Sequence, residues 1–341
     1  MREADFTSSR LGYILDREAG SRRVDIGQIM SQAAERAVRF PRVAVLLATH
    51  NGREFLFDQI ESILAQEGVS VDLWVSDDSS SDGTFEYLRD RERIDPRMKI
   101  LPPAAFGSAA DNFLRLIRDA PIEHYGYVAL ADQDDVWMTF KLRRAIEQLA
   151  RSNADGYSSN LTAFDDRTGK EWPVCKSAPP RVLDYLFGGA SAGCTYVLSV
   201  RAAMLLRSRM VGQPAPSRGW SHDWLFHAIC RSEGLGWVFD DTAPIRYRQH
   251  AGNQYGVRSG LRGVILRVSN IANGWYRERV LENGKFLSNT PEEAEVLSRV
   301  ERLSLADRLW LAIRGWRLRR QRLDGIALAV MFLLMSRSNS R

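Results

Sequence analysis

Aspartates stand in closely spaced pairs at two places where an apolar stretch of the chain ends: Asp77 with Asp78, and Asp132 with Asp134. Carboxylates at this spacing repel one another, and they gather where a cation is held. An Asp-x-Asp pair offers oxygen ligands on one side of an extended loop, which suits Mg²⁺ or Mn²⁺ together with the oxygens of a diphosphate. The first pair offers hydrogen-bond acceptors for a pyrimidine ring or for ribose hydroxyls.

Each of these loops also has a purely structural explanation. The Asn-Gly pair at 51–52 is a turn signal. Ser81 or Asp82 is placed to cap a helix, and the aspartates at 134–135 precede a helix whose dipole they complement. Taken singly, each loop favours the structural explanation. Taken together, polar and acidic loops at the ends of several strands favour a shared binding site.

Apolar runs alternate with helical patterns in the first half of the chain. The run 43–48 is continuously apolar, which suits a strand buried on both faces of a sheet. The predicted strands are 43–48, 71–75, 98–101 and 127–131, and the predicted helices are 55–64, 84–93, 112–118 and 141–150. This alternation predicts an α/β fold with a mostly parallel central sheet flanked by helices. Ligands bind outside the carboxyl ends of such strands, where the acidic loops lie.

The alternation loosens after residue 152. The further predicted elements are strands at 157–164, 195–199, 237–240 and 245–248, a helix at 223–231 and a helical, Arg-rich pattern from 261 onward. These changes predict three parts: an N-terminal extension 1–40, an α/β domain 41–256 and a helical, Arg-rich C-terminal region 257–341.

Five motifs occur in order along the α/β domain. They are Thr-x-Asn at 49–51, Asp-Asp-x-Ser-x-Asp-Gly-Thr at 77–84, Asp-Gln-Asp-Asp-Val-Trp at 132–137 with Lys-Leu at 141–142, Ser-His-Asp-Trp at 221–224, and Arg-Gln-His-Ala-Gly-Asn at 248–253. The ordered set resembles glycosyltransferase family 2, and the third motif is similar to bacterial rhamnosyltransferase-like members that build surface polysaccharides. The resemblance covers about residues 42–256. It implies the GT-A nucleotide-sugar-binding fold, followed here by the basic helical region.

The resemblance also implies roles for individual residues. Those implied to contact the nucleoside of the donor are Thr49, Asn51 and Asp78, with Asp77 beside them. Asp132 and Asp134 would form the motif that binds the metal and the donor diphosphate. His250 would touch the diphosphate or the metal, and Asp223 would be the general base.

The implied reaction is an inverting, metal-dependent glycosyl transfer. A nucleoside diphosphate leaves, Mg²⁺ or Mn²⁺ stabilises the charge that builds on it, and a carboxylate takes the proton of the attacking hydroxyl. The implied partners are a nucleoside-diphosphate sugar, with rhamnose as one candidate sugar, and a lipid-linked saccharide of a growing surface polysaccharide. Nucleic acid is not an expected partner, because the chain has no recognisable RNA-binding motif.

Charge is unevenly distributed along this chain, whose net charge is +5. Residues 256–341 contain 16 Lys/Arg and 8 Asp/Glu, so this segment carries +8 and the rest of the chain −3. Trp and Leu are interleaved with arginines between 299 and 322, which is typical of an interfacial element that meets an anionic membrane surface. The alternative is a solvated helix packed on the body, with 326–335 as a buried core helix.

The sequence predicts a cytoplasmic protein that is peripheral on the inner face of the cell membrane. The longest apolar run has ten residues, whereas a bilayer requires about 20. Acidic residues near the N-terminus interrupt any secretory pattern. The three cysteines are far apart in sequence and fit a reducing compartment.

Two other classes of function stay open at this level. Residues 189–193 match GxSxG, and Ser191 is followed by Asp223 or Asp241 and then by His250, in the order of an α/β-type serine hydrolase. That motif requires a helix after the serine, whereas the segment that follows here is strand-like. The other alternative is a non-enzymatic, basic RNA-binding protein, which only the charge of the C-terminal region supports.

Overall fold

The computed structural model describes residues 40–214, 216, 219–250 and 274–335. Three predictions therefore lie outside the described residues: the N-terminal extension except its last residue, the end of the fifth motif at 251–253, and the domain boundary at 256–257.

The first half of the α/β domain follows the predicted order of strands and helices. Its elements are β1 (Arg42–Thr49), α1 (Leu56–Leu64), β2 (Ser70–Asp77), α2 (Thr84–Ile94), β3 (Met98–Ile100), α3 (Ala109–Asp119), β4 (Tyr127–Ala131), β5 (Val136–Trp137) and α4 (Lys141–Ser152). The two-residue strand β5 is too short for a hydrophobic pattern to reveal, and it was not among the predicted elements.

The second half is less regular, as the sequence indicates. Its elements are β6 (Gly156–Ser159), β7 (Leu161–Asp165), β8 (Lys170–Val174), β9 (Val197–Ser199), α5 (Val200–Met210), α6 (His222–Ser232), β10 (Trp237–Asp240) and β11 (Ile245–Arg248). Short 3₁₀ helices lie at Asp184–Phe187 and Gly193–Thr195. The helix α5 and the strand β8 were missed, the latter because its sequence KEWPV has no apolar run.

The central sheet is built around β1, in which residues 43–47 are completely buried. A strand that is covered on both faces has this continuous apolar sequence. The seven strands are ordered β10-β6-β9-β4-β1-β2-β3, and only β9 runs antiparallel to its two neighbours, β4 and β6. The prediction of an α/β fold with a mostly parallel central sheet flanked by helices is confirmed.

The register of the central strands brings the acidic loops together. Thr49, the last residue of β1, pairs with Asp77, the last residue of β2, and Leu47 pairs with Ala131 at the end of β4. The loops that follow these three strands therefore leave the sheet at one edge, as expected for a parallel sheet.

A second, four-stranded sheet was not predicted. The segment 157–164, predicted as one strand, divides at Asn160 into β6 of the central sheet and β7 of the small sheet, whose order is β5-β11-β7-β8. Asn160 stabilises this bend, because its side-chain Nδ2 donates to Asp241 O at 2.9 Å and its Oδ1 accepts from Lys176 N–H at 2.7 Å. The small sheet positions β11, which precedes His250.

The C-terminal region is helical in its described part, as predicted. It contains α7 (Trp275–Gly284), α8 (Pro291–Arg302), α9 (Leu305–Arg314) and α10 (Arg322–Leu334), with a 3₁₀ turn at Gly315–Arg317. Leu311, Leu328 and Phe332 are buried in the same apolar core as α3 and α6. Among the described residues, no helix combines the length and the hydropathy that a membrane crossing requires.

Candidate active site

Asp77 is a buried anchor of the loop after β2. One carboxylate oxygen accepts the Thr49 hydroxyl at 2.8 Å and the Ser80 hydroxyl at 2.6 Å, and the other accepts Ser80 N–H at 2.9 Å. The side chain is 3% exposed. A buried carboxylate with this many donors fixes the loop and the position of Thr49.

Asp78, the next residue, is held from two sides. Its backbone N–H donates to Thr49 O at 2.9 Å. Its carboxylate accepts the backbone N–H groups of Phe106 and Gly107, the latter at 2.9 Å. These bonds fix the direction of a carboxylate whose remaining lone pairs can accept from a ligand.

Asn51 ties the first loop to the second. It has a left-handed backbone, with φ of 49°, which Asn tolerates better than most residues. Its Oδ1 accepts Ser81 N–H at 2.8 Å, and its own N–H donates to Ser80 Oγ at 2.8 Å. The side chain of Asn51 is exposed at the mouth of the cleft.

Gln133, between the two aspartates of the Asp-x-Asp motif, connects the third loop to the first. Its side-chain amide exchanges two hydrogen bonds with the backbone of His50, at 2.8 and 3.0 Å. A Cβ at Gly52 would lie 2.3 Å from this amide, so a side chain there would displace Gln133 from its contact with His50. The sequence did not indicate a role for Gln133, because a motif does not show which of its side chains turn toward a neighbouring loop.

Asp132 interacts electrostatically with the carboxylates of Asp134 and Asp223. Burial, together with the charges of Asp134 and Asp223, raises its pKa to about 7. Asp223 comes from α6, 91 positions later in the chain. The fold thus brings the predicted base to the predicted metal motif.

Asp134 is in direct contact with His250. Asp134 Oδ2 lies 2.8 Å from His250 Nε2, and the imidazole packs on Phe55 with ring centroids 4.5 Å apart. The buried Arg248 donates through Nε to Asp134 O at 2.8 Å. Two ligand types that suit a divalent ion, a carboxylate oxygen and an imidazole nitrogen, are therefore next to each other.

A buried cluster that the sequence analysis did not identify lies behind the motif. Ligand atoms of Asp132, Asp135 and Cys194 lie within 4.8 Å of one another. Asp135 is completely buried, and burial raises its pKa well above the usual range. Lys141 is completely buried, with its ammonium 3.3 Å from the centroid of the Trp137 ring, and burial lowers its pKa to about 7. The charge of Asp135 acts in the opposite direction on the Lys141 pKa but does not outweigh its burial.

Asp223 lies in the first turn of α6, where a carboxylate is favoured by the helix dipole. Its Oδ1 accepts Trp224 N–H at 2.7 Å and also the Ser221 hydroxyl. Burial raises its pKa to about 6, against a smaller lowering by the Trp224 N–H and by Lys176. A carboxylate with this pKa is ionised at neutral pH and is basic enough to accept a proton.

The aromatic side chains near Asp223 in sequence pack into the core. His222 packs on Phe113 with centroids 4.2 Å apart, and burial lowers the pKa of this imidazole to about 3, which keeps it neutral. Trp220 and Trp224 are 5% and 8% exposed. The Trp224 indole donates to Tyr185 O at 2.9 Å.

The groups of the alternative serine hydrolase are engaged elsewhere. The Ser191 hydroxyl donates to Ser159 O at 2.8 Å. A 3₁₀ turn and then β9 follow this serine, where a nucleophile elbow has a helix. His250 Nε2 lies against Asp134. The hydrolase interpretation is therefore wrong for this site.

Comparison with known proteins agrees with this geometry. The model of the family described as glycosyl transferase family 2 matches residues 44–198. The dTDP-rhamnosyl transferase RfbG of Shigella flexneri is 31% identical over 84% of this chain and 99% of its own length. The putative teichuronic acid biosynthesis glycosyltransferase TuaG of Bacillus subtilis (strain 168) is 32% identical, over 38% of this chain and 50% of its own length.

A third relative and a solved structure extend the comparison. WfgD of Escherichia coli, described as a UDP-Glc:alpha-D-GlcNAc-diphosphoundecaprenol beta-1,3-glucosyltransferase, is 26% identical over 48% of this chain and 61% of its own length. The crystal structure of S. aureus TarS 1-349 in complex with UDP-GlcNAc covers 86% of this chain and 89% of that chain, with a TM-score of 0.54 and 13% identity. The structural likeness concerns the fold, which is GT-A. The chain belongs to glycosyltransferase family 2 and is a glycosyltransferase.

Proposed function

We propose that this chain transfers a sugar, with rhamnose as the first candidate, from a nucleoside-diphosphate donor to a hydroxyl of a growing, lipid-linked surface polysaccharide. The transfer inverts the anomeric carbon and depends on a divalent metal. The observation that carries the proposal is the convergence of Asp132, Asp134 and Asp223 on one cleft at the carboxyl ends of the strands. The sugar and the acceptor class are suggested by the descriptions of the relatives RfbG and WfgD.

On the donor side, the residues divide into two kinds. Asp78 and Asn51 offer acceptor atoms at the mouth of the cleft and would receive hydrogen bonds from the nucleoside. Thr49 and Asp77 are 1% and 3% exposed and bonded to each other, so they would hold the other two in place. Asp132 lies beyond them, where the diphosphate of the donor would be.

The residues present fit a divalent metal. Asp134 Oδ2 and His250 Nε2, 2.8 Å apart, would be its ligands together with Asp132. When bound, the ion supplies Lewis-acid stabilisation to the leaving diphosphate. Arg248 and Gln133 hold the loop that carries the two aspartates, through Asp134 O and the backbone of His50.

Asp223 would act as the general base. It comes from a different element than the donor loops, so it would meet the acceptor hydroxyl from its own side of the cleft. A base in hydrogen-bond reach of the attacking hydroxyl takes its proton as the new bond forms.

The pKa of Asp223 leads to a pH dependence of turnover. Burial raises this pKa to about 6, and only the ionised form accepts a proton. We expect kcat at saturating donor, acceptor and metal to rise by about tenfold per pH unit below pH 6 and to level off above it. Initial rates of nucleotide release between pH 4.5 and 8.5 measure this. A rate that falls as the pH rises from 5 to 7 would exclude Asp223 as the base.

The C-terminal helices expose an apolar surface, which we call the apolar face. Its members on α9 and α10 are Leu305, Leu309, Ile313, Leu323, Ile326 and Val330. On each helix they recur at intervals of three or four residues, while other residues of the same helices are buried. Together with nearby arginines, this face fits an anionic bilayer, and we propose a peripheral position on the inner face of the cell membrane.

Point substitutions on the apolar face test this position. Deletion of the region would expose the core contacts of Leu311 and Phe332 and is therefore unsuitable. We expect the triple substitution Leu309→Ser, Ile313→Ser and Ile326→Ser to weaken binding to anionic vesicles by at least about tenfold, since each buried side chain of this size contributes about 1.5–3 kcal/mol. Co-sedimentation with vesicles rich in phosphatidylglycerol measures the change.

A control variant separates this effect from a general loss of apolar surface. Ile94, at the end of α2, is 75% exposed, and Ile94→Ser should leave vesicle binding unchanged. Equal binding of the wild type and the triple variant would remove the apolar face as the membrane contact.

A donor screen tests the proposed reaction. The protein is incubated with a panel of nucleotide sugars that includes dTDP-rhamnose and UDP-glucose, with polyprenyl-diphosphate-linked GlcNAc as acceptor, in Mg²⁺ or Mn²⁺ and in EDTA. We expect release of nucleoside diphosphate with one donor and its loss in EDTA. Release that EDTA does not change would remove the metal from the proposal.

A further inference from the structure

The C-terminal region, which lies outside the family-model match at 44–198, reaches the loop beside Asp223. We propose that Arg320 is a positioning residue that holds Asp223 through the loop 188–190, an inference that rests on the proposed role of Asp223 as general base. Arg320 itself would not touch the substrate.

The guanidinium of Arg320 is enclosed and bonded on two sides. One terminal nitrogen pairs with Asp184 Oδ2 at 3.0 Å. The other donates to Gly189 O at 2.9 Å and to Ala190 O at 2.6 Å. The group lies over the Phe239 ring, 4.5 Å from its centroid, and the side chain is only 11% exposed. A planar fork with donors in fixed directions makes this set of bonds, which a single ammonium cannot reproduce.

Two sets of contacts connect the loop held by Arg320 to the backbone of Asp223. Ala190 N–H donates to the Tyr196 hydroxyl at 2.9 Å, and this hydroxyl donates to Asp223 O at 2.9 Å. Gly189 also packs directly on the start of α6, since a Cβ added there would lie 3.3 Å from Trp224 N. A shift of the loop would therefore move the backbone that carries the Asp223 side chain.

Neighbouring residues of the C-terminal region hold the same loop. Arg319 donates to Phe187 O at 2.6 Å, and a Cβ at Gly188 would lie 2.3 Å from its terminal nitrogen. The Tyr276 hydroxyl donates to Phe187 O, and its ring stacks on Trp224 with centroids 5.5 Å apart. Two adjacent arginines thus bind three carbonyls of one short segment, those of Phe187, Gly189 and Ala190. Arg320 is the one that binds Ala190, whose N–H donates to Tyr196.

Kinetics of Arg320→Ala test this role, with dTDP-rhamnose and polyprenyl-diphosphate-linked GlcNAc as probes. We expect kcat to fall by about 10- to 100-fold, as displacement of a catalytic group by about 1 Å does. The KM for dTDP-rhamnose should change less than twofold, because the donor loops are on other elements. Arg320→Lys should keep the pairing with Asp184 but lose one carbonyl contact, and should therefore have an intermediate kcat. Guanidinium ion at millimolar concentration should partly restore kcat of Arg320→Ala.

The control is Arg201→Ala. Arg201 lies on α5, is 73% exposed and pairs with Asp155. This variant should have the kcat of the wild type. If Arg320→Ala and Arg320→Lys both have a lower Tm than the control but are folded at the assay temperature and keep the kcat of the wild type, Arg320 has only a structural role and the inference is overturned. If Arg320→Ala does not fold, an unchanged kcat of Arg320→Lys overturns the inference and a reduced one supports it.

Failure of the proposed function gives a different pattern. If the wild type releases no nucleotide from dTDP-rhamnose, the proposed donor is wrong. If Asp223→Asn keeps full turnover, the base assignment is wrong. If Asp223→Asn is inactive while both Arg320 variants have the kcat of the wild type, only the positioning role of Arg320 fails.

Discussion

Replacement of Asp223 by Asn lowers kcat by roughly 10²–10⁴-fold, the usual contribution of a general base, and leaves donor affinity unchanged. Asn keeps the shape and the acceptance of the Trp224 N–H but cannot take a proton. The proposed donor contacts come from the loops after β1, β2 and β4, so we expect them to be unaffected. Steady-state kinetics and donor titration by calorimetry measure the two quantities. A fall in kcat with intact donor binding identifies an interaction that is made only in the transition state.

A matched control and the next candidates define the contrary result. Asp90→Asn removes a carboxylate that is 68% exposed on α2 and should have no effect. If Asp223→Asn kept full turnover, the base would be sought among Asp240 and Asp241. Asp240 is the poorer of these, because hydrogen bonds from Arg144, Tyr157 and Thr242 outweigh its burial and lower its pKa to about 2.

Asp134→Ala is expected to abolish metal-dependent donor binding, with a loss of affinity of more than about 100-fold, which exceeds the usual effect of an outer-shell partner. The substitution removes the oxygen that faces His250. The fold should survive, because Arg248 bonds to the backbone carbonyl of residue 134 and not to its carboxylate. Calorimetric titration of dTDP-rhamnose in Mn²⁺ and in EDTA measures the metal-dependent part of the affinity.

His250→Ala is the companion variant for the metal proposal. It should show a similar loss, because the imidazole is the second ligand in the proposed pair. Asp90→Ala serves as the control for removal of an exposed carboxylate. A metal-dependent affinity that stays at the wild-type value in Asp134→Ala would remove this residue from the metal site.

The sequence was sufficient to predict the centre of the fold and the convergence of the acidic loops. The continuous apolar run of β1 indicated a strand buried on both faces, and parallel strands place their carboxyl ends at one edge. Thr49 and Asp77 accordingly end neighbouring strands in register. The motifs did not reveal which acidic side chains have a structural role. Asp77 accepts hydrogen bonds from Thr49 and Ser80, and Asp135 is buried behind the cleft.

The roles that were missed depend on contacts between residues far apart in the chain. Lys141 follows the third motif in sequence, but its burial against the Trp137 ring depends on how α4 packs on the sheet. Arg319 and Arg320 counted as part of a basic surface, because composition does not distinguish an exposed arginine from one that is bonded to a loop more than 100 residues earlier. The helices α9 and α10 bury Leu311, Leu328 and Phe332 in the core and expose other apolar residues, a division that composition does not reveal.

The anomeric configuration of the product tests the central proposal most directly. Transfer in one displacement, with Asp223 as base and no covalent intermediate, requires the attacking hydroxyl to approach opposite the leaving diphosphate. The wild-type protein is incubated with dTDP-rhamnose, Mn²⁺ and polyprenyl-diphosphate-linked GlcNAc, and the new glycosidic linkage is assigned by NMR. We expect a configuration inverted relative to the donor. A product with the configuration of the donor would contradict the proposal, because retention requires a second displacement that this assignment of residues does not provide.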